Sequence, residues 1–193
     1  WSGYLVAPRY QYSTIAEYYA IRNSVAILDT SPLFKYRISG PDALRFLQSV
    51  MIRDIGQCKI GDAQYTCWCN SDGFVLQDGV ILRISDDNFR LTAGEPSLHY
   101  FRATASTLDL SNLEIEDLTN DYGILAVQGP HAYSTISQLT DATDSLSYFE
   151  LAQTEIEGSP VLLSRTGYTG DLGYELWIKA EDADRIWQCL ISA

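Results

Sequence analysis

Two stretches of this chain carry the same signals in the same order, and that repetition limits the folds open to it. The first, FKYRISGPDALRFLQSV, runs from Phe34 to Val50. Tyr36 and Ile38 alternate as in a half-buried strand. Gly40-Pro41 stops the strand, and from Asp42 onward Ala43, Leu44, Phe46 and Leu47 gather on one side of a helix. The second, YGILAVQGPHAYSTISQL, runs from Tyr122 to Leu139. Again a strand meets Gly129-Pro130, and a helix follows with Ala132, Ile136 and Leu139 apolar. Proline suits a first helical turn because its missing N–H would have no partner there.

A hairpin follows each helix: QYTCWCNSDGFVLQDGVILRI in the first half, SPVLLSRTGYTGDLGYELWI in the second. A further helix follows each hairpin, EPSLHYFRATASTL and EDADRIWQCLISA. The chain therefore reads as an α+β protein of duplicated strand–helix–hairpin–helix units, with helices packed on antiparallel sheets. The two halves are expected at 1–110 and 111–193, with a bridging strand within Leu113–Leu118. Near the N-terminus, STIAEYYAIRNSVAIL reads as one helix. Ser13 or Thr14 caps it, and Glu17 stands three residues after Thr14 as in a capping box.

Of 193 residues, 46% are hydrophobic, enough for a sizeable core. The formal net charge of −12 repels phosphate backbones, and no Lys/Arg cluster offsets it, so nucleic acid is not an expected partner. No apolar run approaches ~20 residues, so no membrane span is expected. Trp1 is not an initiator methionine, so the lack of a visible signal peptide carries little weight. Cys67 and Cys69 flank Trp68 in an apparent strand and so share a face. With Cys58 and Cys189 they are expected as reduced thiols in a cytoplasmic protein. His99 and His131 lie far apart in sequence, and no metal site is expected.

The chemistry concentrates in the hairpins. Gly167, Gly170 and Gly173 recur every third residue in SRTGYTGDLGYELWI. Glycine permits positive φ and close approach to the backbone, so this is either a bulged turn or a wall for something flat, with Tyr168 as its aromatic face. Glu175 lies inside an apolar strand, on the face of Gly173 and Trp177. It either meets water or receives donors from a ligand. Asp78 occupies a comparable place on the outgoing strand of the first hairpin, and before Gly79 it also reads as a turn residue. Tyr65, by itself, reads as core. A duplicated fold also creates a cleft between units, where ligand sites often lie.

These stretches resemble a known family. RTGYTGDLGYEL resembles the signature hairpin of the aminomethyltransferase family, typified by the glycine cleavage system T-protein. EYYAIRNSVAILDTS, ISGPDALRFLQSVMIRDI, GDAQYT and AVQGP agree in order, from Tyr10 to Trp187. The resemblance implies the folate-binding fold of that family and transfer of a one-carbon unit from an amine donor to tetrahydrofolate, with folate and lipoylated H-protein as partners. It assigns Tyr168 and Glu175, together with Tyr65, to the pterin, adds Leu33 and Val80 to the cofactor-binding set, and places Asp78 near the reacting folate nitrogens as the catalytic residue. The site it implies is shared between the two halves. The family continues into a small β-barrel-like domain, which this stretch of chain lacks.

The chain also departs from the family pattern. The first hairpin usually has two adjacent acids, where this chain has Gln77-Asp78. Ser-His-Met is usual where this chain has Ser31-Pro32-Leu33. These changes keep two alternatives in view, a folate-dependent demethylase of a methylated small molecule and a non-catalytic folate-binding protein.

Overall fold

In the computed structural model, which describes residues 1–193, the chain runs α1 (Thr14–Asn23), β1 (Ala26–Asp29), β2 (Phe34–Ser39), α2 (Ala43–Val50), β3 (Ala63–Cys69), β4 (Val75–Ser85), β5 (Asn88–Ala93), α3 (Leu98–Thr107), β6 (Glu114–Asp117), β7 (Tyr122–Gln128), α4 (Ala132–Ile136), β8 (Leu151–Ile156), β9 (Ser159–Ser164), β10 (Gly173–Lys179) and α5 (Ala183–Ser192). The strands form two five-stranded sheets, β3-β4-β5-β2-β6 and β1-β7-β10-β9-β8, and every pairing is antiparallel. Read from its far edge, the second order repeats the first: β8 stands for β3, β9 for β4, β10 for β5, β7 for β2 and β1 for β6. This is the duplicated α+β fold expected from the sequence.

The repeat reaches the backbone. Gly40 and Gly129 have φ of 102° and 132°, and each accepts at its carbonyl from the amide three residues on, Ala43 and Ala132, at 2.9 Å. A Cβ at Gly40 would lie 2.3 Å from the Asn112 carbonyl, and one at Gly129 would lie 2.4 Å from the Ser24 carbonyl. Asn112 and Ser24 each stand two residues before an edge strand, β6 or β1. Only glycine fits the turn and the approach together.

One compact unit is Leu33–Asn120, and the other joins Gly3–Pro32 to Asp121–Ala193. The sequence repeat divides near residue 110, but in space the N-terminal segment belongs with the second half because β1 pairs with β7, Ile27 opposite Val127. The single helix expected over STIAEYYAIRNSVAIL is corrected accordingly. It ends at Asn23, and its last residues become β1, since Ala26, Ile27 and Leu28 gain strand partners on β7 that a longer helix would forgo. Ser13 caps α1 by accepting from the Ala16 amide at 3.1 Å, whereas Glu17 turns outward to accept from the Gln11 amide at 2.8 Å.

Each unit has its own core on one face of its sheet. In Leu33–Asn120, Ala43, Phe46, Leu47 and Val50 recur at helical spacing on α2 and pack with Tyr36, Ile38, Ile81, Phe89 and Leu91. Phe101 of α3 lies 5.3 Å, ring to ring, from Trp68. The Tyr36 hydroxyl is satisfied there, accepting from the Ser97 amide at 2.8 Å. In the other unit, Tyr174, Leu176 and Ile178 of β10 meet Ile136 of α4 and Ile186 and Leu190 of α5. Full burial of each such side chain is worth roughly 1.5–3 kcal/mol. Glu175 and Trp177 therefore point to the opposite face of β10. No helix is long and apolar enough to cross a membrane.

Candidate functional site

The hairpin SRTGYTGDLGYELWI becomes the end of β9, the loop Arg165–Leu172 and the whole of β10. Its counterpart in the first repeat, between β4 and β5, is the short Asp86-Asp87 turn, so the loop is an elaboration of one repeat. Asp78 and Glu175 are correspondingly not equivalent by repeat: β10 matches β5, and β4 matches β9. The hairpins expected from the sequence are one strand out of step, because β8 precedes β9 and makes β9–β10 the counterpart of β4–β5. β8 and β9 are joined by Glu157-Gly158, whose φ values of 48° and 75° suit a tight hairpin turn.

β10 is the central strand of its sheet, with Glu175 opposite Ala126 on β7 and Ser164 on β9. The Thr166 hydroxyl donates to Glu175 Oε2 and is itself 2.7 Å from the Ser164 hydroxyl. Glu175 is half-buried. Burial raises its pKa, and the Thr166 hydrogen bond opposes that rise. Tyr168 is 68% exposed, yet its phenol is shifted upward, by desolvation and then by the Glu175 charge. For a ring this exposed, the neighbouring charge is the firmer cause.

Two of the three glycines turn out to make room for a residue the sequence reading passed over. Gln128, the last residue of β7, is fully buried. A Cβ at Gly167 would sit 2.1 Å from its amide oxygen, and one at Gly173 would sit 2.2 Å from its amide nitrogen. Gly170 has φ 81° and serves the turn itself. Gln128 Nε2 donates to the Thr166 carbonyl at 3.2 Å and to the Tyr174 carbonyl at 3.4 Å, while Oε1 accepts from the Thr169 hydroxyl at 2.9 Å. Gly167 and Gly173 thus form a wall against the chain's own amide. The clue in the sequence was a lone polar residue closing the apolar run YGILAV.

In the unit Leu33–Asn120, Tyr65 lies opposite Val80, and Cys67 lies opposite Asp78. All four side chains share the face of β3–β4 away from the core. Asp78 is in mid-strand, which corrects its reading as a turn residue. The turn lies at Asn70–Gly73, where the Gly73 amide donates to the Asn70 carbonyl at 3.0 Å. Tyr65 is not core: it is 49% exposed, and its hydroxyl donates to Asp78 Oδ2 at 2.6 Å. That hydrogen bond raises the Tyr65 pKa. Gln77, where the family pattern has an acid, turns its Oε1 back to accept from the Asp78 amide at 2.9 Å. Val80 is half-buried, and its amide donates to the Thr92 hydroxyl at 3.3 Å. Leu33 stands apart from this ladder, just ahead of β2, and its carbonyl accepts from the buried Lys35 ammonium at 2.8 Å.

Cys58, Cys67, Cys69 and Cys189 are all free thiols. Burial pushes Cys58 up to about 11. Cys67 is raised by burial and then by Cys69 and Asp78. No group of three or more His, Cys, Asp or Glu residues is arranged to hold a metal ion.

Comparison with known proteins places the fold and the family. Solved structures show the fold. Glycine cleavage system aminomethyltransferase T from Bartonella henselae matches with a TM-score of 0.86 at 22% identity, covering 99% of this chain and 52% of that one. A chain of the heterotetrameric sarcosine oxidase from Corynebacterium sp. U-96 matches with a TM-score of 0.65 at 18% identity, covering 92% and 89%. Among curated proteins, an aminomethyltransferase of Exiguobacterium sibiricum is 33% identical over 92% of this chain and 49% of its own length. One of Anoxybacillus flavithermus is 33% identical over 95% and 51%. The chain spans about half the length of these curated relatives. The family model described as the GCVT N-terminal domain matches residues 2–193, and the chain belongs to that family.

Proposed function

We propose that this chain is the folate-binding part of a one-carbon transferase of the aminomethyltransferase type, with tetrahydrofolate as acceptor and an amine-borne one-carbon unit as donor. The observation that carries the reading is Glu175. It is a half-buried carboxylate on a central strand, with Thr166 on Oε2 only, and Oε1 is left to accept N–H donors. A flat pterin offers such donors, and the exposed Tyr168 ring, whose phenol feels the Glu175 charge, offers it a face. The residues present therefore fit the cofactor.

Bound tetrahydrofolate supplies the nucleophilic nitrogens that take up the one-carbon unit. By the family resemblance, Asp78, its Oδ2 held by Tyr65, would supply negative charge toward those nitrogens and toward positive charge developing on the transferred carbon. Electrostatic stabilisation suits an exposed carboxylate better than a general-base role. Val80, on the same face as Asp78, would add apolar contact. The relatives' name, aminomethyltransferase, and that of the Bartonella protein favour glycine cleavage, with lipoylated H-protein as the carrier of the donor. Four free thiols fit a reducing, cytoplasmic setting.

Calorimetric titration of the protein with tetrahydrofolate, beside Glu175→Ala, tests the reading. The parent is expected to bind and the variant to lose at least tenfold in affinity. A parent that releases no heat and shows no saturation would sink the folate assignment. Ammonia release from aminomethyl-loaded H-protein then identifies the donor, whereas methyl transfer from a methylated amine to tetrahydrofolate would replace it.

A further inference from the structure

We infer that Gln128 is a positioning residue for Glu175 and Tyr168: its buried carboxamide holds the loop Arg165–Leu172, which carries Tyr168, in the arrangement that sets the Thr166 hydroxyl on Glu175. This rests on the reading of Glu175 and Tyr168 as ligand contacts.

Three observations converge. Gln128 binds the loop near both of its ends, through the carbonyls of Thr166 and Tyr174, and in its middle through the Thr169 hydroxyl. Thr166, which it holds by the carbonyl, is the residue whose hydroxyl meets Glu175. Gly167 and Gly173 lack side chains where the carboxamide lies, since a Cβ at either would fall within 2.2 Å of it.

The internal repeat supplies a control. Gln128 pairs with Gly173, the first residue of β10. The matching pair in the other repeat is Ser39 with Asn88, the first residue of β5. There the connection is the short Asp86-Asp87 turn, and a serine suffices. The long amide accompanies the long loop. Of the loop's other side-chain anchors, the Arg22–Asp171 ion pair is partly exposed and so holds weakly, and Arg165, which donates to the Leu146 carbonyl at 3.0 Å, ties only the first residue of the loop. A buried amide is the stronger constraint because releasing it would strand polar atoms away from water.

The test separates positioning from space-filling. Gln128→Leu keeps the volume and deletes every hydrogen bond. Gln128→Ala combined with Gly173→Ala refills the space without an amide. Carboxyl NMR of Glu175 in the ligand-free protein, with thermal midpoints and tetrahydrofolate titration, is read for both. Burial and the Thr166 hydrogen bond set the Glu175 titration, and its ladder partners Ala126 and Ser164 carry no charge. Loss of the Thr166 donor is expected to move the Glu175 titration upward and to weaken tetrahydrofolate at least tenfold, even where the double variant melts like the parent. A double variant with parental midpoint, titration and affinity overturns the inference. If Gln128→Leu does not fold, Thr169→Val, which deletes only the hydroxyl on Oε1, reads the same upward shift, and an unmoved titration there counts against the inference. A parent that fails to bind tetrahydrofolate removes the folate reading, while the Glu175 titration still decides whether Gln128 positions the loop.

Discussion

The Tyr65 hydroxyl donates to the Asp78 carboxylate at 2.6 Å across the β3–β4 ladder. The two residues sit diagonally on one face, Tyr65 opposite Val80 and Asp78 opposite Cys67, within reach of a long aromatic side chain. A residue assigned by resemblance to the pterin is thus also the anchor of the assigned catalytic carboxylate.

Tyr65→Phe keeps the ring and deletes the anchor. Tyr65 is half in solvent, so stability is expected to change by no more than about 0.5 kcal/mol. A hydrogen bond to a charged group contributes on the order of 1.5 kcal/mol, so turnover is expected to fall about tenfold while tetrahydrofolate affinity moves less. Steady-state kinetics beside a urea melt checks both. Parental turnover in the variant would show that Asp78 needs no such anchor.

Glu175 links the site to pH. Burial raises its folded-state pKa above the ordinary value of 4.5, so between that value and the raised one the folded chain binds more protons than the unfolded chain. Stability from this group is therefore present below the ordinary carboxylate range and is lost as pH rises through the folded pKa. Glu175→Gln cannot titrate and still accepts from Thr166. Its thermal midpoint is expected to exceed the parent's at neutral pH, with the gap closing toward pH 4. A gap independent of pH would refute the assignment of the titration to Glu175.

Gly79 follows Asp78 directly, and a Cβ there would lie 1.9 Å from the backbone carbonyl of Thr92 on β5. A backbone atom in a paired strand cannot yield as a side-chain tip can. Gly79→Ala is expected to cost about 3 kcal/mol. Gly94→Ala, whose Cβ would meet nothing nearer than the Gln77 amide at 3.8 Å, is expected to fall within about 1 kcal/mol of the parent. Guanidinium unfolding of the two variants gives the comparison, and equal midpoints would contradict it.

Much of the fold was legible in the sequence. The alternation of Tyr36 and Ile38, the stripe Ala43, Phe46, Leu47 on α2, and the Gly-Pro pairs at 40–41 and 129–130 record local backbone preference and burial, which are properties of a few adjacent residues. So does the placement of Glu175 with Trp177 and away from Tyr174. The ordered motifs pointed to the family for the same reason, being short and contiguous. The end of α1 is not legible because Ala26–Leu28 serve a helix or a strand equally well until β7 arrives to pair with them.

By itself, then, the sequence determined most of the elements, their duplication, the antiparallel class and the family. Tertiary structure alone decided the partnerships: β1 beside β7, β10 rather than β4 in the centre of a sheet, Gln128 seated between Gly167 and Gly173, and Tyr65 on Asp78. Those contacts depend on strand order and register between segments far apart in the chain, and local periodicity carries no record of which distant strand will lie alongside.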